Sequence, residues 1–166
     1  MDSLMLLLST NQVKGFENEL YYFGRLLIRS LPFQNNDRTI TQLKNSGGLR
    51  LIRSAQAADS IISYQKMVEE IKINEAFERN ERINSYPVLS QMFDPYVLDK
   101  MVTINDITRP NNNPRLKTYD SRIFQDVAFY VHAVKGSMYT IEVRLQKLNE
   151  KAINTITFLQ KEYHLE

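Results

Sequence analysis

The sequence predicts an all-α fold, an irregular antiparallel helical bundle with two long helices at about 54–86 and 120–163 and shorter helices that close it. Two observations predict this fold. Apolar residues recur three and four positions apart along most of the 166 residues. The 5 glycines and 5 prolines are few, and the prolines lie between these periodic stretches or at their ends. We expect residues 1–166 to form a single helical domain, because this length is typical of one domain with its own core.

Three short helices are predicted before the first long one, at about residues 1–9, 14–30 and 38–45. Pro32 follows the second of them, because proline lacks a backbone N–H and cannot continue a helix. Gly47 and Gly48 follow the third and supply the left-handed backbone that closes it. The apolar residues after this turn are expected to return to the core: Leu49, Leu51 and Ile52.

The first long helix is predicted from the N-cap residue Ser54 to about Tyr86, and Pro87 is expected to bend or end it. Its apolar residues at helical spacing are expected to face inward: Ala58, Ile61, Ile62, Val68, Ile71 and Phe77. Opposite charges four residues apart are expected on the outward, solvated face: Glu75 with Arg79 and Glu78 with Arg82.

Asp94 before Pro95 predicts a short helix to about Val102. Residues 103–118 form one long irregular stretch, either a functional loop or a crossover, and we favour the crossover. The last helix, at about 120–163, has the clearest apolar stripe, with alternate spacings of four and three residues: Val127, Val131, Val134, Met138, Ile141, Leu145, Leu148, Ala152 and Leu159. Such heptad spacing predicts packing against the other long helix and the N-terminal helix.

Composition and motifs exclude several kinds of chemistry. The chain has no cysteine, so disulfides, thiolate metal sites and a cysteine nucleophile are ruled out. Neither His132 nor His164 has a glutamate three residues before it, as a di-iron helical bundle requires. No nucleotide-binding or nucleophile motif is present. The sequence therefore predicts a protein that is not an enzyme and that holds no metal and no cofactor.

The net charge of +2 is too small for a general nucleic-acid field, so no nucleic-acid partner is expected. The densest local charge is basic and has two interpretations: Arg25, Arg29, Arg38, Lys44, Arg50 and Arg53. These residues can form a solvated rim with their stems on apolar surface. Alternatively, Arg50 and Arg53 beside the start of the long helix can bind a carboxylate or phosphate, with Tyr64 close by.

Residues 36–53, NDRTITQLKNSGGLRLIR, are followed by a helix that contains DSIISY at 59–64. This stretch resembles a family of Bacteroidetes proteins of unassigned activity, which share approximately L-K-x-S-G-x-L-x-L-I and a helix with D-x-I-x-x-Y. Members of that family carry one N-terminal membrane helix and a helical soluble domain. The resemblance covers most of the chain from about Tyr21 onward.

The resemblance implies a membrane anchor before Met1. For the soluble domain we expect the periplasmic side of the cell membrane. The resemblance implies no catalytic residue. We expect a non-enzymatic interaction or sensory domain, whose long helices meet a protein partner or a second copy of the chain. The alternative is a sensor that binds a small molecule or an anion through Arg50, Arg53 and Tyr64.

Overall fold

The computed structural model describes residues 1–10 and 13–165; Asn11, Gln12 and Glu166 lie outside the described residues. The described part is 72% helical, which confirms the predicted all-α class. A short 3₁₀ turn spans Gly48–Leu51, and one isolated antiparallel bridge joins Val102 and Ile107. The α-helices are α1 (Asp2–Ser9), α2 (Glu17–Leu27), α3 (Arg38–Asn45), α4 (Ala55–Met92), α5 (Pro95–Lys100) and α6 (Ser121–Tyr163).

The chain divides into two compact units. Unit 1 consists of Met1–Leu31 and Phe77–Met138, and unit 2 consists of Pro32–Ala76 and Tyr139–Glu166. Helices α4 and α6 contribute residues to both units. Each unit has its own cluster of buried apolar side chains.

The core of unit 1 is built on α2, where Leu20, Tyr21 and Leu27 are fully buried. The α6 residues Val127, Val131 and Val134 belong to the same cluster, together with Leu4 and Leu8 of α1. The first half of the predicted α6 stripe is therefore confirmed as buried, in one cluster with residues of the N-terminal helix.

A glycine sets how closely α2 approaches the end of α4 in unit 1. A Cβ atom at Gly24 would stand 2.5 Å from the ring of Phe93, so that the ring or the helix would have to shift to make room for it. The Phe93 ring also packs on Tyr21, with 5.0 Å between the ring centroids.

The predicted outward position of Glu78 and Arg82 is wrong, because both side chains are buried in unit 1. They form an ion pair whose side chains are 5% and 6% exposed. The Arg82 guanidinium also donates hydrogen bonds to the backbone carbonyls of Leu26 and Leu27, at the C-terminal end of α2. A spacing of four residues places two charges on one face of a helix, but it does not say which face is buried.

The irregular stretch before α6 holds the other end of α2. The buried carboxylate of Glu17 accepts hydrogen bonds from the Tyr119 hydroxyl at 2.8 Å, from the backbone N–H of Gly15 at 2.8 Å and from the Asn113 side-chain amide. The Asn113 oxygen in turn accepts the free backbone N–H of Asn18 at 2.8 Å. A side chain distant in sequence thus caps the first turn of α2.

Helix α4 continues through Pro87 to Met92, so the expected end near Tyr86 is wrong. Pro87 lies on an exposed part of the helix, where water can replace the hydrogen bond that its missing N–H would have made. Val88 and Leu89, directly after it, are buried and hold the following turn against the core of unit 1.

Unit 2 has a small core. Its buried apolar cluster consists of Val68 and Ile71 of α4 with Leu148 of α6. Two residues of the predicted inward face of α4 are instead exposed, because they lie away from the side of the helix that carries the buried Val68 and Ile71: Ile62 (49%) in unit 2 and Phe77 (64%) in unit 1. Leu51, expected in the core, is 83% exposed, because the chain forms a surface 3₁₀ turn there.

Several local predictions are confirmed. Helix α3 spans Arg38–Asn45 as expected, and Gly47 after it has a φ of +69°. The side chain of Asp94 accepts the N–H of Tyr96 at 2.9 Å and caps α5. Helix α2 is shorter than predicted, because Gly15, with a φ of +92°, turns the chain before it.

Loss of Arg82 is expected to destabilise the protein strongly. Arg82→Met leaves the Glu78 carboxylate buried without its cation, and we expect the free energy of unfolding to fall by about 3–5 kcal/mol. Urea unfolding, monitored by circular dichroism, measures this free energy. The exposed Arg79→Met on the same helix is the control, with a change within about 0.5 kcal/mol. Equal losses in the two variants would contradict the structural role of Arg82.

Stability is expected to fall at acid pH through Glu17. Burial raises the pKa of its carboxyl, but hydrogen bonds from Tyr119, the backbone and Asn113 lower it by more, so the net pKa lies below the ordinary value. The stabilisation is therefore complete above the pKa of an unfolded glutamate, about 4.3, and is lost as the pH falls through the folded-state pKa.

The variant Glu17→Gln is expected to be less stable than the wild type at neutral pH and to lose less stability between neutral pH and about pH 3. Urea unfolding across that range provides the measurement. Asp126→Asn, an exposed carboxylate of unit 1, is the control and should keep the wild-type acid dependence. An unchanged acid dependence in Glu17→Gln would show that other carboxylates carry it.

Candidate functional site

The three residues expected to bind a ligand do not all line one cavity. Arg50 lies in the 3₁₀ turn and Arg53 lies just before α4, and both are exposed. Tyr64 of α4 is half-buried and lines a cavity of about 500 Å³ in unit 2, which neither arginine lines. The structure therefore places the tyrosine in a cavity and leaves anion binding by the two arginines a prediction.

The cavity at Tyr64 has uncharged walls. Its polar groups come mainly from the side-chain amides of Gln34, Asn35, Asn36 and Gln65, and Phe33 adds a second aromatic ring. Amide groups donate and accept hydrogen bonds without carrying charge. This lining suits a neutral polar ligand better than an anion.

In the part of the chain that the structure describes, no group of three or more carboxylate or histidine side chains is placed to hold a metal ion. His132 and His164 are both exposed.

A second row of side chains at heptad spacing lies on the exposed surface of α6 in unit 2. Along this row, Ile153 and Ile156 are each 56% exposed and Tyr163 is 39% exposed. Asn149 and Gln160, at the same spacing before and between them, are also exposed. We call these five residues the α6 seam: Asn149, Ile153, Ile156, Gln160 and Tyr163.

The middle of the α6 seam, from Ile153 to Gln160, lies in a stretch of helix without charge. Residues 152–160 contain no charged side chain, whereas Glu150 and Lys151 precede them and Lys161 and Glu162 follow. Exposed helix surfaces are normally rich in charge, so a charge-free segment with half-exposed isoleucines is typical of a surface that another helix covers.

The exposed isoleucines of α4 lie in a different setting. Ile62 and Ile73 are 49% and 56% exposed, but the charged Lys66 and Glu69 stand on the helix surface between them. They do not form a continuous apolar row. The α6 seam is therefore a better candidate for an interface than this surface of α4.

Sequence reasoning did not find the α6 seam, because it followed the stronger inward stripe of the same helix. That stripe includes Leu145 and Leu148, which the structure places in the core cluster of unit 2. The absence of charge over residues 152–160 was the signal that could have identified the second row.

Comparison with family models, with curated proteins and with solved structures returns no match for this chain. Within residues 1–10 and 13–165, no helix combines the length and the apolar character that crossing a membrane requires.

Proposed function

We propose that the chain is a non-enzymatic helical interaction domain whose α6 seam pairs with the α6 seam of a second copy. The observation that carries this proposal is the exposed, charge-free heptad row with Ile153 and Ile156 at its centre. Rows of this spacing bury their side chains when two helices lie side by side.

The order of side chains along the seam favours an antiparallel pair of copies. It runs amide, isoleucine, isoleucine, amide, from Asn149 through Ile153 and Ile156 to Gln160, and is symmetric about the midpoint between Asn154 and Thr155. A twofold axis at that midpoint would set Ile153 against Ile156 of the second copy. It would also set Asn149 against Gln160 of the second copy, so that each amide meets an amide. Such a self-complementary patch is what a twofold interface requires.

The expected pairing is weak. Covering the exposed half of four isoleucines buries little apolar area, since full burial of one such side chain is worth only about 1.5–3 kcal/mol. Association also costs translational and rotational freedom. We therefore expect a dimer with a Kd in the millimolar range, at the weak end of protein interfaces.

Membrane attachment forms part of the proposal and rests on the resemblance to the Bacteroidetes family. A helix of about 20 apolar residues encoded before Met1 would supply the anchor, with this domain on the periplasmic side. The reading frame upstream of Met1 provides the test. A frame without such an apolar segment would remove the membrane part and leave the pairing proposal intact.

A small-molecule sensor is the second candidate, and the cavity of about 500 Å³ at Tyr64 favours it. That volume lies in the usual range for ligand sites. A thermal-melt screen of neutral and anionic metabolites tests it, with Arg50→Ala and Tyr64→Ala as variants. Loss of a ligand-induced shift in Tyr64→Ala alone identifies the cavity as the site. A requirement for Arg50 as well would support the anion site expected from the sequence.

Self-association is expected to depend on the α6 seam. Sedimentation velocity over about 0.1 to 1 mM should show a monomer–dimer equilibrium for the wild type. Ile156→Glu should remain monomeric, because two carboxylates would be desolvated in the interface. Ile73→Glu, at a residue of equal exposure on α4 in unit 2, is the matched control and should dimerise like the wild type. A monomeric wild type at the highest concentration would overturn the pairing.

The antiparallel direction is tested by disulfide cross-linking, because the chain has no cysteine of its own. A mixture of Asn149→Cys and Gln160→Cys should give a cross-linked dimer. Either variant alone should not, because equal positions in an antiparallel pair would lie about 16 Å apart along the helices. Efficient cross-linking of Asn149→Cys with itself would indicate parallel helices instead.

A further inference from the structure

Unit 1 contains an apolar cavity of about 240 Å³ between the end of α4, α2 and α5. Its walls are formed by Ile28, Leu89, Phe93 and Leu98, with the backbone of Gly24 at the closest approach of α2. An apolar cavity of about 150 Å³ is enough to hold benzene, so this one accommodates an aromatic ring with a short substituent.

The shape of the cavity is fixed by hydrogen bonds around it. The ring of Phe93 packs on Tyr21, whose hydroxyl donates to the carbonyl of Arg115 at 3.0 Å. The same hydroxyl accepts the backbone N–H of Asp94 at 3.0 Å. The Tyr21 ring that supports Phe93 is thus fixed by two hydrogen bonds, as expected of a preformed ligand site.

Polar groups occur at the exposed part of the lining. Tyr86, Ser90 and Lys117 line the cavity and are exposed to solvent. The Lys117 ammonium donates to the carbonyl of Ser90 at 2.6 Å, which holds the cation next to the opening. Among the described residues, no carboxylate forms an ion pair with Lys117.

The contact between Lys117 and the carbonyl of Ser90 has a structural role of its own, because cations stabilise the C-terminal ends of helices. That role uses one of the three ammonium hydrogens and leaves two available. Tyr86, an exposed residue that also lines the cavity, adds an aromatic hydroxyl to the lining. An ammonium group beside an apolar cavity is suited to one carboxylate.

We propose that this cavity binds a small monocarboxylate with an aryl or short alkyl body, with the body between the helices and the carboxylate at Lys117. This inference does not depend on the proposed pairing of α6, since every lining residue belongs to unit 1. Burial of the apolar body supplies most of the binding energy, and the ammonium selects the charged end.

The test compares phenylacetate with its neutral analogue phenylethanol by isothermal titration calorimetry on the whole chain. Both are expected to bind the wild type. Lys117→Gln should weaken phenylacetate binding about tenfold or more, the loss expected for a charge-assisted hydrogen bond. It should leave the Kd for phenylethanol unchanged. Lys100→Gln, an exposed lysine of α5 that does not line the cavity, is the control and should change neither Kd.

A second pair of variants locates the binding site. Ser90→Phe places a ring at the opening of the cavity and should abolish binding of both compounds, whereas Gln91→Phe, on the exposed neighbouring residue, should not. Circular dichroism confirms that both variants fold. Failure of both compounds to bind the wild type, or binding that Ser90→Phe leaves intact, would overturn the proposal. Equal loss of both compounds in Lys117→Gln would exclude the carboxylate class.

Discussion

The buried ion pair of Glu78 and Arg82 is the interaction on which the arrangement of unit 1 depends. The last carbonyls of a helix have no partner within it, and those of Leu26 and Leu27 lie where the Arg82 guanidinium reaches them. Burying two charges is costly, and the cost is offset here because the carboxylate and the helix carbonyls both receive hydrogen bonds from one side chain. At the N-terminal end of α2, the side chain of Asn113 accepts the backbone N–H of Asn18 and caps the helix. The central helix of unit 1 is therefore held at both ends by side chains that lie far from it in sequence.

The position of α2 in turn shapes the cavity of unit 1. Because Gly24 has no side chain, the ring of Phe93 lies against the helix backbone there. The cavity opens beside that contact, where Ile28 and Leu98 line it. A helix fixed less firmly at its ends could shift and close a space of this size, since side chains in a protein interior normally pack without large voids. The space persists because its walls are tied by backbone and side-chain hydrogen bonds as well as by apolar contact.

Structural features that depend only on residues close together in the sequence were predictable. They include the all-α class, the bounds of α3, the left-handed Gly47 and the Asp94 cap. Features decided by distant contacts were not, because the spacing of Glu78 and Arg82 is equally compatible with either face of α4. The same reason explains Pro87, whose helix continues because burial of the next turn outweighs one lost hydrogen bond. At the candidate sites, the sequence singled out Tyr64 but did not show that Arg50 and Arg53 would lie outside its cavity. The positions of the two arginines depend on the backbone of the turn before α4, which helical spacing does not predict.

The two units differ in how completely they cover their apolar residues. Unit 2 buries Val68, Ile71 and Leu148 while leaving isoleucines of the same helices half exposed. The apolar area left in the α6 seam is too small to hold two free copies together tightly. A weak interface becomes effective when copies are kept at high local concentration, because the copies have already lost much of their freedom to diffuse apart. Attachment to a membrane, which the resemblance implies, would provide that condition, so the small seam and the anchor are physically consistent parts of one proposal.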